Sequence, residues 1–159
     1  LLLFVSCSIL KSNEKNAKKK YEILLNNWEL DKLNSLLESE SNLVEMEITE
    51  KYKILLQEKI KEKSNLEKMI EKLKFDLKSN NFTNLEMYFN DSFANRKIIS
   101  EIKKIDFSEF EIMISKPKLY KNTASNTAAV IFRDQVEYFQ FYYKLSNKKW
   151  SIIEIKDGR

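Results

Sequence analysis

Val136-Glu137-Tyr138-Phe139-Gln140-Phe141-Tyr142-Tyr143-Lys144-Leu145, a polar Ser146-Asn147-Lys148, then Lys149-Trp150-Ser151-Ile152-Ile153-Glu154-Ile155: this stretch decides the fold. It is rich in aromatic and β-branched residues, and a three-residue polar break divides it, so it predicts two antiparallel strands joined by a tight turn. Working upstream, Thr127–Arg133 predicts the preceding strand. Phe110, Ile112 and Ile114 alternate with Glu111, Met113 and Ser115 in the strand before it, which Pro117 closes as expected at a sheet edge. Short connections make the set a four-stranded antiparallel meander over 107–156.

Before residue 107 the period changes to about 3.6, and residues 14 to 105 read as helices with almost no breakers. Ile23, Leu24, Leu30, Leu33, Leu36 and Leu37 form an apolar stripe interrupted at Asn26-Asn27-Trp28, which predicts a small helical hairpin. Capping pairs at Asn42/Glu45, Ser64/Glu67 and Thr83/Glu86 mark further helix starts. They place helices at 43–63, 65–79 and 84–90, with another at 92–105, although Ser64 also fits a polar stretch within one long helix. Asn26-Asn27-Trp28 and Asn80-Asn81-Phe82 echo each other, as a duplicated hairpin would. The fold class is therefore α+β, with helices first and the meander last. Residues 21–63 form a helical region and residues 64–159 an α+β domain.

Composition removes most enzyme classes. The 159 residues include no His, one Gly, one Pro and one Cys. There is no histidine base or ligand and no glycine-rich phosphate loop. An internal disulfide and a thiolate zinc cluster are excluded as well. Lys+Arg 28 against Asp+Glu 24 gives a net charge of +4. Because Lys and Glu interleave, nucleic-acid binding is not expected. No segment after residue 10 is apolar enough to span a bilayer, and no metal or cofactor is expected.

The chain opens Leu1-Leu2-Leu3-Phe4-Val5-Ser6-Cys7-Ser8. An apolar run, a small residue and a cysteine resemble the lipobox of bacterial lipoproteins, with Phe4 in place of the usual Leu. The resemblance implies that residues 1–7 are the remainder of a signal peptide and that Cys7 carries the lipid. Such a run is far shorter than the ~20 residues that cross a bilayer, whereas acyl chains add about 0.8 kcal/mol per buried methylene. Residues 8–20, with five lysines, read as a polar tether. In lipoproteins of this kind an Asp after the cysteine marks inner-membrane retention, so with Ser8 there the resemblance implies the outer rather than the inner membrane of a cell envelope.

Lys149-Trp150-Ser151-Ile152-Ile153-Glu154-Ile155 after an aromatic strand resembles the last hairpin of the nuclear-transport-factor-2-like superfamily, which includes ketosteroid isomerases. This implies a cone-like curved sheet packed on helices over 64–159. Tyr88, Asp91, Tyr120, Asp134 and Glu137 fit no catalytic motif of those isomerases, so no catalysis is expected. On the third strand Glu137, Phe139, Phe141, Tyr143 and Leu145 predict the core face. Val136, Tyr138, Gln140, Tyr142 and Lys144 predict the outer one. Tyr120, Tyr138, Tyr142 and Trp150 are the candidate residues for a small apolar ligand or a protein partner. An adaptor role for the helical half, docking another envelope protein, is the alternative.

Overall fold

The computed structural model describes residues 2–40 and 44–158, with side chains from residue 14 onward. Among the described residues four helices precede a five-stranded antiparallel sheet: α1 (Leu2–Asn26), α2 (Leu30–Ser39), α3 (Met46–Lys78), α4 (Phe93–Ile102), β1 (Glu111–Ile114), β2 (Lys118–Tyr120), β3 (Thr123–Phe132), β4 (Gln135–Ser146) and β5 (Lys149–Asp157). The α+β class and the helices-then-meander order are as the sequence predicts. The chain divides into two compact units, Leu1–Lys61 and Glu62–Arg159, and the division falls inside α3.

In the first unit Tyr21, Leu25, Trp28, Leu33, Leu37, Ile48, Tyr52 and Leu56 are buried. The Tyr21 and Tyr52 rings meet edge to face at 5.0 Å. Residues 8–20 lie within α1. That helix ends in a reverse turn in which the Glu29 N–H donates to the Leu24 carbonyl and Trp28 takes a positive φ of 58°. α3 ends the same way, with the Asn81 N–H on the Asp76 carbonyl and Asn80 at φ 51°. The Asn-Asn echo is thus two helix endings of one type, with the left-handed residue at a different place in each.

The helices predicted at 43–63 and 65–79 are one. Ser64 is an interior position of α3, and Asn42 lies outside the described residues. Between Leu56 and Leu66 no α3 residue is buried. Good helix formers with Lys–Glu pairs three and four apart sustain that segment where apolar packing does not. The stripe resumes as Leu66, Ile70, Leu73 and Leu77, all buried in the second unit. The helix expected at 84–90 is a single 3-10 turn, Leu85–Tyr88, with no side-chain cap, so Thr83 does not act as predicted. α4 is capped by Ser92, whose Oγ accepts from the Asn95 N–H at 3.1 Å.

The sheet order is β1-β3-β4-β5, with β2 also paired to β3. The predicted four strands become five because the first is interrupted and continues. β1 pairs along Ala128–Ile131 and β2 along Thr123–Ser125, both on the same edge of β3. Between them Pro117 has no N–H to give, and Ser115 bridges the gap. Its N–H donates to the Thr127 carbonyl, and its Oγ accepts from the Thr127 N–H, both at 2.9 Å.

β4 and β5 pair with one irregularity: Tyr142 faces Glu154 while Tyr143 faces Ile152, leaving Ile153 as the extra residue. This bulge lets Ile152 and Ile155, three apart, face the same side as Tyr143 and Phe141. Ile112, Ala124, Ala128, Tyr143, Leu145, Trp150 and Ile152 are the buried apolar positions of the core face, with Asn126 the buried polar one.

With a single glycine in the chain, the turns place other residues in the left-handed region: Lys121, Arg133, Asn147 and Lys148 all have positive φ. Asn147-Lys148 joins β4 to β5 as a two-residue turn with both central residues left-handed (φ 51° and 61°). Asparagine tolerates this and lysine does not, at a cost of about 1 kcal/mol. Lys148 is exposed, so Lys148→Gly is expected to stabilise the second unit by about 0.5–1 kcal/mol in urea unfolding, less the entropy glycine adds to the unfolded chain.

Candidate binding face

The register fixes which side chains share the outer side of the sheet. Tyr120 is opposite Thr123, which is opposite Lys144. Lys118, Ser125, Tyr142 and Glu154 form the next row. Thr127, Gln140 and Lys156 follow, then Met113, Ala129 and Tyr138, then Glu111, Ile131 and Val136. Tyr120, Tyr138, Met113 and Val136 are 54%, 46%, 55% and 43% exposed, and Tyr142 is half-buried between them. Met113, Ala129, Tyr138, Ile131 and Val136 thus gather at one end of the face, while its middle rows hold Tyr142 among Ser125, Thr127 and Gln140.

Several contacts hold this face in one arrangement. The Lys156 ammonium lies 5.2 Å from the Tyr142 ring centre and pairs with Glu154 at 3.1 Å, and the Lys121 ammonium is 5.2 Å from the Tyr120 ring. Thr127 Oγ1 donates to Gln140 Oε1 at 2.9 Å. Gly158 extends the β5 ladder, its N–H on the Tyr138 carbonyl at 2.8 Å. A side chain there would put its Cβ 3.0 Å from the Tyr138 Cβ and carbonyl carbon, so glycine suits this close approach to the Tyr138 main chain.

Of the four aromatic residues singled out from sequence, the sheet brings Tyr120, Tyr138 and Tyr142 together on one face and separates Trp150 from them. Trp150 is 3% exposed on the core side, and its Nε1–H donates to the Glu62 carbonyl of α3 at 2.8 Å. It is a core residue, placed there by its pairing with Leu145. Tyr120 joins the other tyrosines only through β2, the segment not foreseen as a strand, and Met113 and Val136 were not singled out. Cys7 falls within α1, but its side chain lies outside those described.

The interior of the second unit holds a carboxylate–phenol pair that sequence reasoning missed. Tyr88 Oη donates to Asp76 Oδ2 at 2.5 Å, and Asn81 Nδ2 donates to Oδ1 at 3.3 Å. Burial, then the hydrogen bond and charge of Asp76, push the Tyr88 phenol well above its ordinary value. Both residues are buried, and neither lines the open depression of about 520 Å³ bordered by Lys74, Lys78, Glu109, Phe110, Glu111, Ile112 and Met113. Asp76 is satisfied by its two donors. Asn126 is also buried and accepts from Tyr143 Oη at 3.0 Å.

Among the described residues no group of three or more acidic or Cys side chains could hold a metal ion. No helix among them is long and apolar enough to cross a membrane. Comparisons with protein families, with characterised proteins and with solved structures find nothing that matches this chain.

Proposed function

We propose that this chain is a lipid-anchored protein of a bacterial cell envelope, attached through Cys7 to the outer membrane, whose sheet offers a non-catalytic face to a protein partner. The anchor rests on the Leu1–Cys7 motif. The binding role rests on one observation: the tyrosine-rich outer face stays exposed while the opposite face of the same sheet carries the core. Tyrosine supplies large contact area with few rotatable bonds and a hydroxyl that bonds at a wet rim, which is why it is enriched where proteins meet. Of the two occupants considered from sequence, a partner protein fits better than a small apolar ligand. The face is a surface, and the 520 Å³ depression has lysines and glutamates on its border.

The adaptor alternative has less support. Ile23, Met46, Ile54 and Ile60 are exposed in the helical half, but on α3 six to eight residues separate them and no continuous stripe results. Membership of the strand half in the nuclear-transport-factor-2-like superfamily is part of the proposal. It rests on the Lys149–Ile155 hairpin and on helices preceding a meander.

A photoreactive amino acid placed at Tyr138 or Tyr142 in growing cells tests the face. A discrete adduct from these positions, absent when the probe replaces exposed Lys68 on α3, is the expected result. Adducts of equal yield and size from all three positions, or from none, contradict it.

A further inference from the structure

The charge of this chain is unevenly placed. Residues 11–20 contain Lys11, Lys15, Lys18, Lys19 and Lys20 against Glu14 alone, five of the 28 basic and one of the 24 acidic residues. The remainder of the chain holds 23 of each sign. The whole net charge of +4 therefore belongs to ten residues, which begin four positions after Cys7.

The first unit determines how those lysines are presented. On α1, Ala17, Tyr21 and Leu25 are buried, which fixes the inward side of the helix. Tyr21 Oη donates to Glu40 at 2.8 Å and Tyr52 Oη reaches the Lys18 carbonyl at 3.5 Å, so the helix is held against rolling. Lys20 is paired with Glu40 at 3.5 Å. Lys15, Lys18 and Lys19 are exposed and make no ion pair with any described residue. Glu22, the next acid along the helix, accepts from Tyr52 Oη at 3.3 Å. Along the 33 residues of α3, by contrast, nine lysines are interspersed with six glutamates and one aspartate, a net of only +2.

We infer that Lys15, Lys18 and Lys19 form a docking surface for anionic phospholipid headgroups, laying the start of α1 against the bilayer. This rests on the reading of Cys7 as the anchor, which brings residues 11–20 to a membrane surface. A cluster of basic residues beside a lipid anchor gains roughly fivefold in affinity per residue from an anionic surface, and that gain fades with salt. An acyl chain anchors without fixing orientation, whereas the lysines would hold α1 by one side and leave its Tyr21 side inward.

The test uses the full chain carrying Cys7→Ser, so that no lipid contributes and the outcome is independent of whether Cys7 is acylated. Sedimentation with vesicles of phosphatidylglycerol and phosphatidylcholine is compared with sedimentation with phosphatidylcholine alone. Binding to the anionic vesicles that weakens with added salt is expected. Lys15→Gln/Lys18→Gln/Lys19→Gln should weaken it on the order of 100-fold, the triple arginine variant should retain it, and circular dichroism should be unchanged in both. Equal binding to both vesicle types, or equal binding by the glutamine variant, overturns the inference. So does preference for an RNA oligomer over the anionic vesicles.

Discussion

Trp150→Ala is expected to cost about 3–5 kcal/mol. The indole is 3% exposed on the core face of β5, next to buried Ile152 and opposite buried Leu145. Truncation removes the transfer energy of a large aromatic and leaves a cavity that a sheet-and-helix core cannot close. It also removes the donor to the Glu62 carbonyl. For a unit of this size, at roughly 4–8 °C per kcal/mol, the melting midpoint should fall by more than about 12 °C. Trp150→Phe restores most of the volume without the N–H and should cost about 1–2 kcal/mol. Tyr138→Ala, on the exposed face, should cost less than about 1 kcal/mol. Equal losses for Trp150→Ala and Tyr138→Ala would mean that the two faces of the sheet are assigned wrongly.

The second large effect is alkaline unfolding. Tyr21, Tyr88 and Tyr143 are all buried, and each phenol is pushed well above its ordinary value. Burial is the main cause at all three. The Glu40 carboxylate adds to it at Tyr21 and the Asp76 carboxylate at Tyr88, while at Tyr143 the bond to Asn126 partly offsets it. In the unfolded chain these phenols ionise near pH ~10, and in the folded chain they stay protonated beyond it. The unfolded state therefore loses protons first. The stabilising contribution is complete below about pH 10 and is lost as pH rises, at about 1.4 kcal/mol per pH unit for each tyrosine. Tyr88 and Tyr143 together should remove about 3 kcal/mol per unit from the second unit. Urea midpoints should be flat from about pH 8 to 9 and fall steeply above 10. Tyr143→Phe should lower stability at neutral pH by about 1–3 kcal/mol, because buried Asn126 Oδ1 loses its donor, yet flatten the alkaline slope. An unchanged slope in that variant would remove Tyr143 from the explanation.

Much of this fold is legible because simple periodicities carry it. Alternation in 136–145 separates Tyr143 and Leu145 from Tyr138 and Tyr142, and the structure keeps that division. What the sequence hid has identifiable causes. A proline ends a strand in most contexts, yet Ser115 bonds Thr127 through both its N–H and its Oγ, and the edge continues as Lys118–Tyr120. Apolar periodicity lapses around Ser64, which leaves a break and one long solvated helix both open in the sequence, and helix propensity carries α3 through it. Residue type alone groups Trp150 with the tyrosines, but pairing with Leu145 turns it inward. The Asp76–Tyr88 bond joins a helix to a 3-10 turn twelve positions on, a contact no local pattern announces.

Function is less legible than fold, because it depends on a short motif and on a surface. The proposal drawn from the motif is a single chemical one, lipid on the Cys7 thiol. Metabolic labelling with an alkyne fatty acid, comparing the native chain with Cys7→Ser expressed from the same complete reading frame, tests it most directly. Label on the native protein and none on the serine variant, which should leave the membrane fraction, is the predicted result. Equal label on both, or none on either, would contradict the account.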